Sequence, residues 1–236
     1  MRAIIYFLTA MILSSCFHTL NPCIQGNGNY LSENRQINSF SEVHVNSDFN
    51  VFIVEDSLNS LRVTAEENIL PYVKTVVKGN TLIVEKANNR CLRNNKPINI
   101  YISATGINDI KLSGSGFINF ENITNNYINI DLSGSGDIVG NLTAGDLDVK
   151  ISGSGEISLK GFCNNSNMKI SGSGNIRSYN MEQNNCFADI SGSGDIYVNV
   201  NDLLDVKITG SGSVHYIGQP IINTNITGSG NVYSSN

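Results

Sequence analysis

The stretch Val149-Lys150-Ile151-Ser152-Gly153-Ser154-Gly155-Glu156-Ile157 carries the grammar of the whole chain. Val149 and Ile151 are apolar with Lys150 between them, the side-chain period of a strand buried on one face. Two glycines around a serine then interrupt the strand, and Ile157 resumes the apolar pattern after one polar residue. The same tetrapeptide, as SGSG or TGSG, begins at Ser113, Ser133, Ser152, Ser171, Ser191, Thr209 and Thr227, at spacings of 20, 19, 19, 20, 18 and 18 residues. A fixed period of this length marks stacked coils.

Aligned on the motif, the copies form columns. Leu112, Leu132, Ile151, Ile170, Ile190, Ile208 and Ile226 precede it. Two residues earlier stand Ile110, Ile130, Val149, Met168, Ala188, Val206 and Thr224, with Lys111, Asp131, Lys150, Lys169, Asp189, Lys207 and Asn225 between the two apolar columns. Beyond the motif, Ile118, Ile138, Ile157, Ile176, Ile196, Val214 and Val232 form a third apolar column. Each repeat thus reads as two short strands joined by a glycine corner, because glycine reaches φ > 0 without a Cβ clash. One coil cannot bury its isoleucines alone; stacking lets each strand pair with its equivalents about 4.8 Å away and merges the columns into one core. The expected fold is all-β, a single-stranded β-solenoid (β-helix) of about 18–20 residues per coil. A β-propeller would need blades of about 40 residues.

Working outward, residues 107–236 hold the seven repeats. Residues 37–106 show the same alternation without the motif, at Val43 and Val45, Val51 and Ile53, and Leu61 and Val63. Lys78-Gly79-Asn80-Thr81 reads as a hairpin turn, and residues 65–72 as a short helical turn. This part is expected to start the solenoid and cap its open edge. Residues 16–36, rich in Asn, Gly and Ser, read as a tether, with His18 solvated within it. Residues 1–15 read as a secretory signal: Arg2, a short apolar run over 3–13 (AIIYFLTAMIL), then small residues. Such a run is too short to span a bilayer, which takes about 20 residues.

The ending Leu13-Ser14-Ser15-Cys16 resembles the lipobox of bacterial lipoproteins. That resemblance implies cleavage before Cys16, a lipid anchor on its thiol, and attachment to a bacterial membrane. The repeated SGSG-x-I units from Ser113 to Ile118 through Ser191 to Ile196, with the opening Phe40-Ser41-Glu42-Val43-His44-Val45 and the turn at Gly79-Asn80-Thr81-Leu82, resemble the GIN-domain family of exported bacterial proteins, described as autotransporter-adhesin head domains. The resemblance spans roughly residues 37–236. It implies a right-handed single-stranded β-helix, a location in the cell envelope and no catalytic residues.

Of 236 residues only 15% are charged and the formal net charge is -5, which argues against nucleic acid. His18, His44 and His215 are scattered, without metal-ligand spacing. No G-x-S-x-G elbow or P-loop occurs. The column after the motif (Phe117, Asp137, Glu156, Asn175, Asp195, Ser213, Asn231) resembles calcium-binding turns, but only three of its seven positions are acidic. Asp146 with Asp148, and Asp202 with Asp205, are the acid pairs a carbohydrate-processing solenoid would need; both read better as solvated loop acids. No catalytic, metal or cofactor site is therefore assigned. Besides Cys16, the cysteines Cys23, Cys91, Cys163 and Cys186 allow three pairings, of which Cys163 with Cys186, in neighbouring repeats, is one. Tyr197, Tyr216 and Tyr233 lie near the later coils, where a sugar or partner surface and half-exposed strand positions are both open readings. The expected function is a non-enzymatic envelope lipoprotein whose solenoid flank meets a protein or glycan partner. The alternatives are a carbohydrate-processing enzyme and a calcium-stabilised structural component.

Overall fold

The computed structural model describes residues 22–236, so the signal segment, His18 and the lipid-anchor position Cys16 lie outside the described residues. The chain winds into a β-solenoid of stacked parallel coils. Strands Phe117–Gly134, Asp137–Gly153, Glu156–Gly172, Asn175–Gly192 and Ile196–Gly210 each run from one glycine corner to the next. Each pairs in parallel with the coils before and after it. The apolar columns stack in register: Leu112 on Leu132, Ile151, Ile170, Ile190 and Ile208, each at most 1% exposed. The seven corners align down one edge.

The stacking itself explains the corner glycines. Gly114, Gly134, Gly153, Gly172, Gly192, Gly210 and Gly228 lie one above another with φ between 125° and 139°. The carbonyls of Gly114, Gly153, Gly172, Gly192 and Gly210 each accept two N–H bonds from the next coil; Gly153 O, for example, receives Ser173 N at 2.9 Å and Gly174 N at 3.0 Å. The second glycine has a different reason. A Cβ on Gly174 would stand 2.5 Å from the Gly155 carbonyl oxygen and 2.7 Å from Ile151 Cγ2. The coil beneath leaves no room for any side chain there.

A coil without the motif precedes the seven repeats. Glu42–Asn46 pairs with Asp109–Gly114, and Asn50–Glu55 with Phe117–Gly134, setting Val45 under Leu112 and Val51 under Ile118. Ser47 and Phe49 occupy the glycine positions of this corner. No glycine corner lies beneath them: Lys86 does, its ammonium 6.0 Å from the Phe49 ring centre and 2.8 Å from the Asp48 carboxylate.

Below this coil, Thr81–Lys86 and Asn99–Ala104 continue the parallel stack. Val73–Lys78 and Ser60–Glu66 then pair antiparallel to them, and Tyr30–Arg35 pairs antiparallel to Ser60–Glu66. This reversal ends the parallel stack as a cap. The hairpin turn falls where its residues place it, with Gly79 at φ 60°. The helical turn shrinks to a 3-10 helix over Leu70–Tyr72, because the strand persists to Glu66.

The tether expected over residues 16–36 is corrected from residue 22 onward. Ile24–Gln25 pairs with Leu92–Arg93, Cys23 is disulfide-bonded to Cys91, and Tyr30–Arg35 is the outermost cap strand. Arg35 donates to the Leu70 carbonyl at 3.2 Å and to Thr75 Oγ1 at 2.9 Å. The strand escaped notice because four of its six residues are exposed, leaving no apolar alternation to read.

Glu66 joins these pieces. It is fully buried, and its carboxylate accepts the Gly28 N–H at 2.6 Å, the Asn95 N–H at 2.7 Å and Asn95 Nδ2 at 3.0 Å. Burial pushes its pKa up, but the hydrogen bonds from Asn95 and the neighbouring backbone outweigh that and hold it below the ordinary value of 4.5. A carboxyl depressed in the folded state stabilises above its unfolded pKa and loses that contribution as pH falls through the folded one. Melting temperature should therefore fall below pH 4.5, and Glu66→Gln should be less stable at pH 7 with a shallower acid slope. Circular dichroism melts from pH 7 to 3 check this; identical slopes would remove Glu66 from the cap's acid response.

The possible Cys163–Cys186 pairing does not form. Both are free and buried. Register explains this: Cys163 lies against Gln183 in the next coil, while Cys186 lies against Ser166. Burial pushes both thiols up to about 12. The buried Gln183 beside them is satisfied by Ser166, whose hydroxyl donates to it, and by its own bond to Ser178 Oγ at 3.2 Å.

Candidate binding groove on the solenoid flank

Six residues after the start of each motif, one side chain per coil points outward. Register extends this column through the coils as Tyr101, Phe52, Asn119, Val139, Ser158, Arg177, Tyr197, His215 and Tyr233. Neighbours about 4.8 Å apart suit ring stacking, and both ends of the column use it. At the cap end Arg62 lies 4.5 Å over Tyr101, whose ring stacks on Phe52 at 5.2 Å. At the other end Arg177 lies 4.6 Å from the Tyr197 ring centre, Tyr197 stacks on His215 at 4.8 Å, and His215 on Tyr233 at 5.1 Å.

Between the two stacks the column holds only Asn119, Val139 and Ser158. The loss of bulk leaves a groove of about 340 Å³, lined by Val139, Ser158, Lys160, Arg177, Tyr179 and Tyr197. Tyr179 forms its end wall, packed edge-on against Tyr197 with centroids 5.6 Å apart and planes at 83°, its hydroxyl donating to Ser235 Oγ at 3.0 Å. Arg177 is held by Glu156 at 2.8 Å, and that hydrogen bond raises its pKa further above the usual guanidinium range. Glu156 also accepts from Ser158 Oγ at 3.1 Å. Asn141, Lys160 and Asn180 follow one another along the opposite rim.

Of the tyrosines singled out in the sequence, Tyr197 and Tyr233 share this column with His215 between them, whereas Tyr216 packs against the core. Sequence reasoning missed Arg177 and Tyr179. The constant offset of six from the motif was the available signal for Arg177; the groove itself is a contrast between coils, which no single repeat displays.

The other candidates serve the stack. In the column compared with calcium turns, Asp137 Oδ1 accepts the Glu156 N–H at 3.3 Å, Asn175 Oδ1 that of Asp195 at 3.1 Å, and Asp195 Oδ1 that of Ser213 at 2.8 Å. Among the described residues no group of three or more His, Cys, Asp or Glu is placed to hold a metal. Asp146 accepts from Asn165 at 2.8 Å; Asp148 accepts from Tyr127 at 2.7 Å and Asn167 at 3.0 Å. The Asp148 hydrogen bond pushes the Tyr127 pKa up to about 12. Asp202 is exposed. The Lys111 column is a solvated face with inter-coil ion pairs, Lys111 to Asp131 at 3.7 Å and Lys207 to Asp189 at 4.0 Å. His44 meets Asp109 at 3.0 Å, far along the chain from His215.

The family model described as "Putative auto-transporter adhesin, head GIN domain" matches residues 39–220. No curated protein matches the sequence. Among solved structures, a "putative adhesin" from Bacteroides fragilis is 26% identical with a TM-score of 0.85, over 89% of this chain and 99% of that one. A "putative lipid binding protein" from Parabacteroides distasonis is 27% identical with a TM-score of 0.75, over 91% of this chain and 100% of that one. A "putative adhesin" from Parabacteroides merdae, 21% identical with a TM-score of 0.70 over 90% of this chain and 99% of that one, shares the fold. With residues 39–220 matched, well over half of its length, the chain belongs to the family whose model is described as the head GIN domain.

Proposed function

We propose that the protein is a non-enzymatic interaction module of the bacterial cell envelope, anchored by lipid on Cys16 and meeting its partner along the solenoid flank. The observation that carries this reading is the outward column itself. It is regular enough to form a long stiff face, yet interrupted by one groove with an aromatic wall. Asp146 and Asp148 bond to Asn165, Tyr127 and Asn167, and Asp202 is exposed; the adhesin description of the family supports the same reading. No helix among the described residues is long and apolar enough to cross a membrane; the lipid anchor is proposed from the lipobox-like ending Leu13-Ser14-Ser15-Cys16. Acylation contributes about 0.8 kcal/mol per buried methylene.

Two experiments test this. Metabolic labelling with a fatty-acid analogue should mark the wild-type chain and not Cys16→Ser, which should leave the membrane fraction; equal labelling of both would remove the anchor. Cells with and without the chain, compared for attachment to immobilised glycans and matrix proteins, should differ in attachment without turnover of any glycan. Cleavage would overturn the non-enzymatic reading.

A further inference from the structure

We infer that the groove at Val139, Ser158 and Tyr179 is a binding site for a neutral, linear oligosaccharide lying along the stacking axis. The inference rests on the interaction-module reading and gives it a site and a ligand class. Four observations carry it.

Shape comes first. The groove runs from the Val139 coil to the Tyr197 coil, three coil steps of about 4.8 Å each, and so about 14 Å long. A sugar ring is about as long as one step, so successive units of a linear glycan can meet equivalent positions of successive coils. The volume of about 340 Å³ falls in the range of small-ligand sites.

The floor and wall come second. Val139 is 38% exposed, an apolar side chain left facing solvent on an outward column. Tyr179 stands perpendicular to Tyr197, so its ring is not absorbed into the stack as those of Tyr197 and His215 are. The C–H face of a sugar packs on such apolar and aromatic surface.

Third, the rims supply hydrogen-bonding side chains at the spacing of the coils: Asp137 and Glu156 on one side, Asn141, Lys160 and Asn180 on the other. A sugar's hydroxyls need both donors and acceptors, and this set offers both.

Fourth, the charges cancel. Asp137 and Glu156 face Lys160 and Arg177, and Arg177 is already paired with Glu156. A phosphate, a uronic acid or an acidic peptide would find no net positive charge here. A neutral glycan needs none.

The test uses the full chain, wild type and three variants: Tyr179→Ala, which removes the wall, and Val139→Tyr and Ser158→Tyr, which fill the groove with rings stacked like their neighbours. All three positions lie on the outward face, and melting curves establish that each variant is folded. Calorimetric titration and an array carrying neutral linear hexose oligomers, with sialylated and sulfated oligosaccharides as charged comparators, provide the readout. Saturable binding to at least one neutral oligomer is expected, weakened tenfold or more by each variant, with no preference for the charged glycans. Failure of all neutral oligomers to bind, binding that survives all three variants, or preferential binding of charged glycans would each overturn the inference. Cell attachment measured with the same variants separates the two levels. Attachment that persists with a filled groove removes the groove and leaves the module; attachment that never depended on the chain removes both.

Discussion

Gly172→Ala should lower the melting temperature by about 10 °C or more. Gly172 sits at φ 130°, where a non-glycine residue pays about 1–3 kcal/mol for the backbone alone. Its new Cβ would also press into the Gly153 carbonyl below, the acceptor of two N–H bonds in that corner. Moving aside breaks those bonds and opens the ladder on both sides, so a total of about 3 kcal/mol or more is expected. At about 2–4 °C per kcal/mol for a domain of this size, the melting shift follows. The control is Ser47→Ala, at the equivalent position of the first corner. Ser47 is buried, its hydroxyl has no hydrogen-bond partner, and its φ is ordinary, so the change should cost less than about 0.5 kcal/mol. Equal melting of Gly172→Ala and the parent would show that the corners do not template one another.

Losing the Cys23–Cys91 disulfide should be the other large effect. The bond closes a sequence separation of 68 residues, and the chain-entropy model gives about 4 kcal/mol for a loop of that size. The double variant Cys23→Ser with Cys91→Ser, or the parent in reductant, should melt about 10 °C lower. The damage should begin in the cap, where the bond holds Ile24–Gln25 against Leu92–Arg93. Hydrogen exchange should then show faster opening of Tyr30–Arg35 with the later coils unchanged. Thiol mapping supplies a second check. Among Cys23, Cys91, Cys163 and Cys186, none should alkylate readily in the native protein, because the two free thiols are buried with pKa values of about 12. After unfolding without reductant, Cys163 and Cys186 alone should react. Indifference of melting to reductant would place the cap's stability elsewhere.

What could be read from the residues follows from where each constraint lives. The seven corners were legible because each glycine answers to a backbone directly beneath it, so the same requirement returns every 18–20 residues. The coil at Ser47 and Phe49 lacks that neighbour and therefore lacks the signature, although its valines alternate as clearly as any. Tyr30–Arg35 was hidden for the opposite reason: an exposed edge strand buries too little to impose a period. The disulfide was beyond reach because its partners flank a two-residue parallel pairing, Ile24–Gln25 with Leu92–Arg93, which no repeat encodes. The flank tyrosines could be named, but the groove depends on Val139 and Ser158 being small between two stacks. That is a relation between coils, and it appears only once register is known.

The fit at each glycine corner involves only the adjacent coil, and this gives the molecule an adjustable length. A duplication or deletion of one whole unit between Ile118 and Ile208 would meet the same surface above and below, leaving the N-terminal cap untouched. The length of the solenoid is thus a heritable dimension that can change in steps of about 4.8 Å by copying a short run of codons. The flank pattern would travel with whichever units are copied, so lengthening the shaft and moving its groove are separable outcomes of one genetic event.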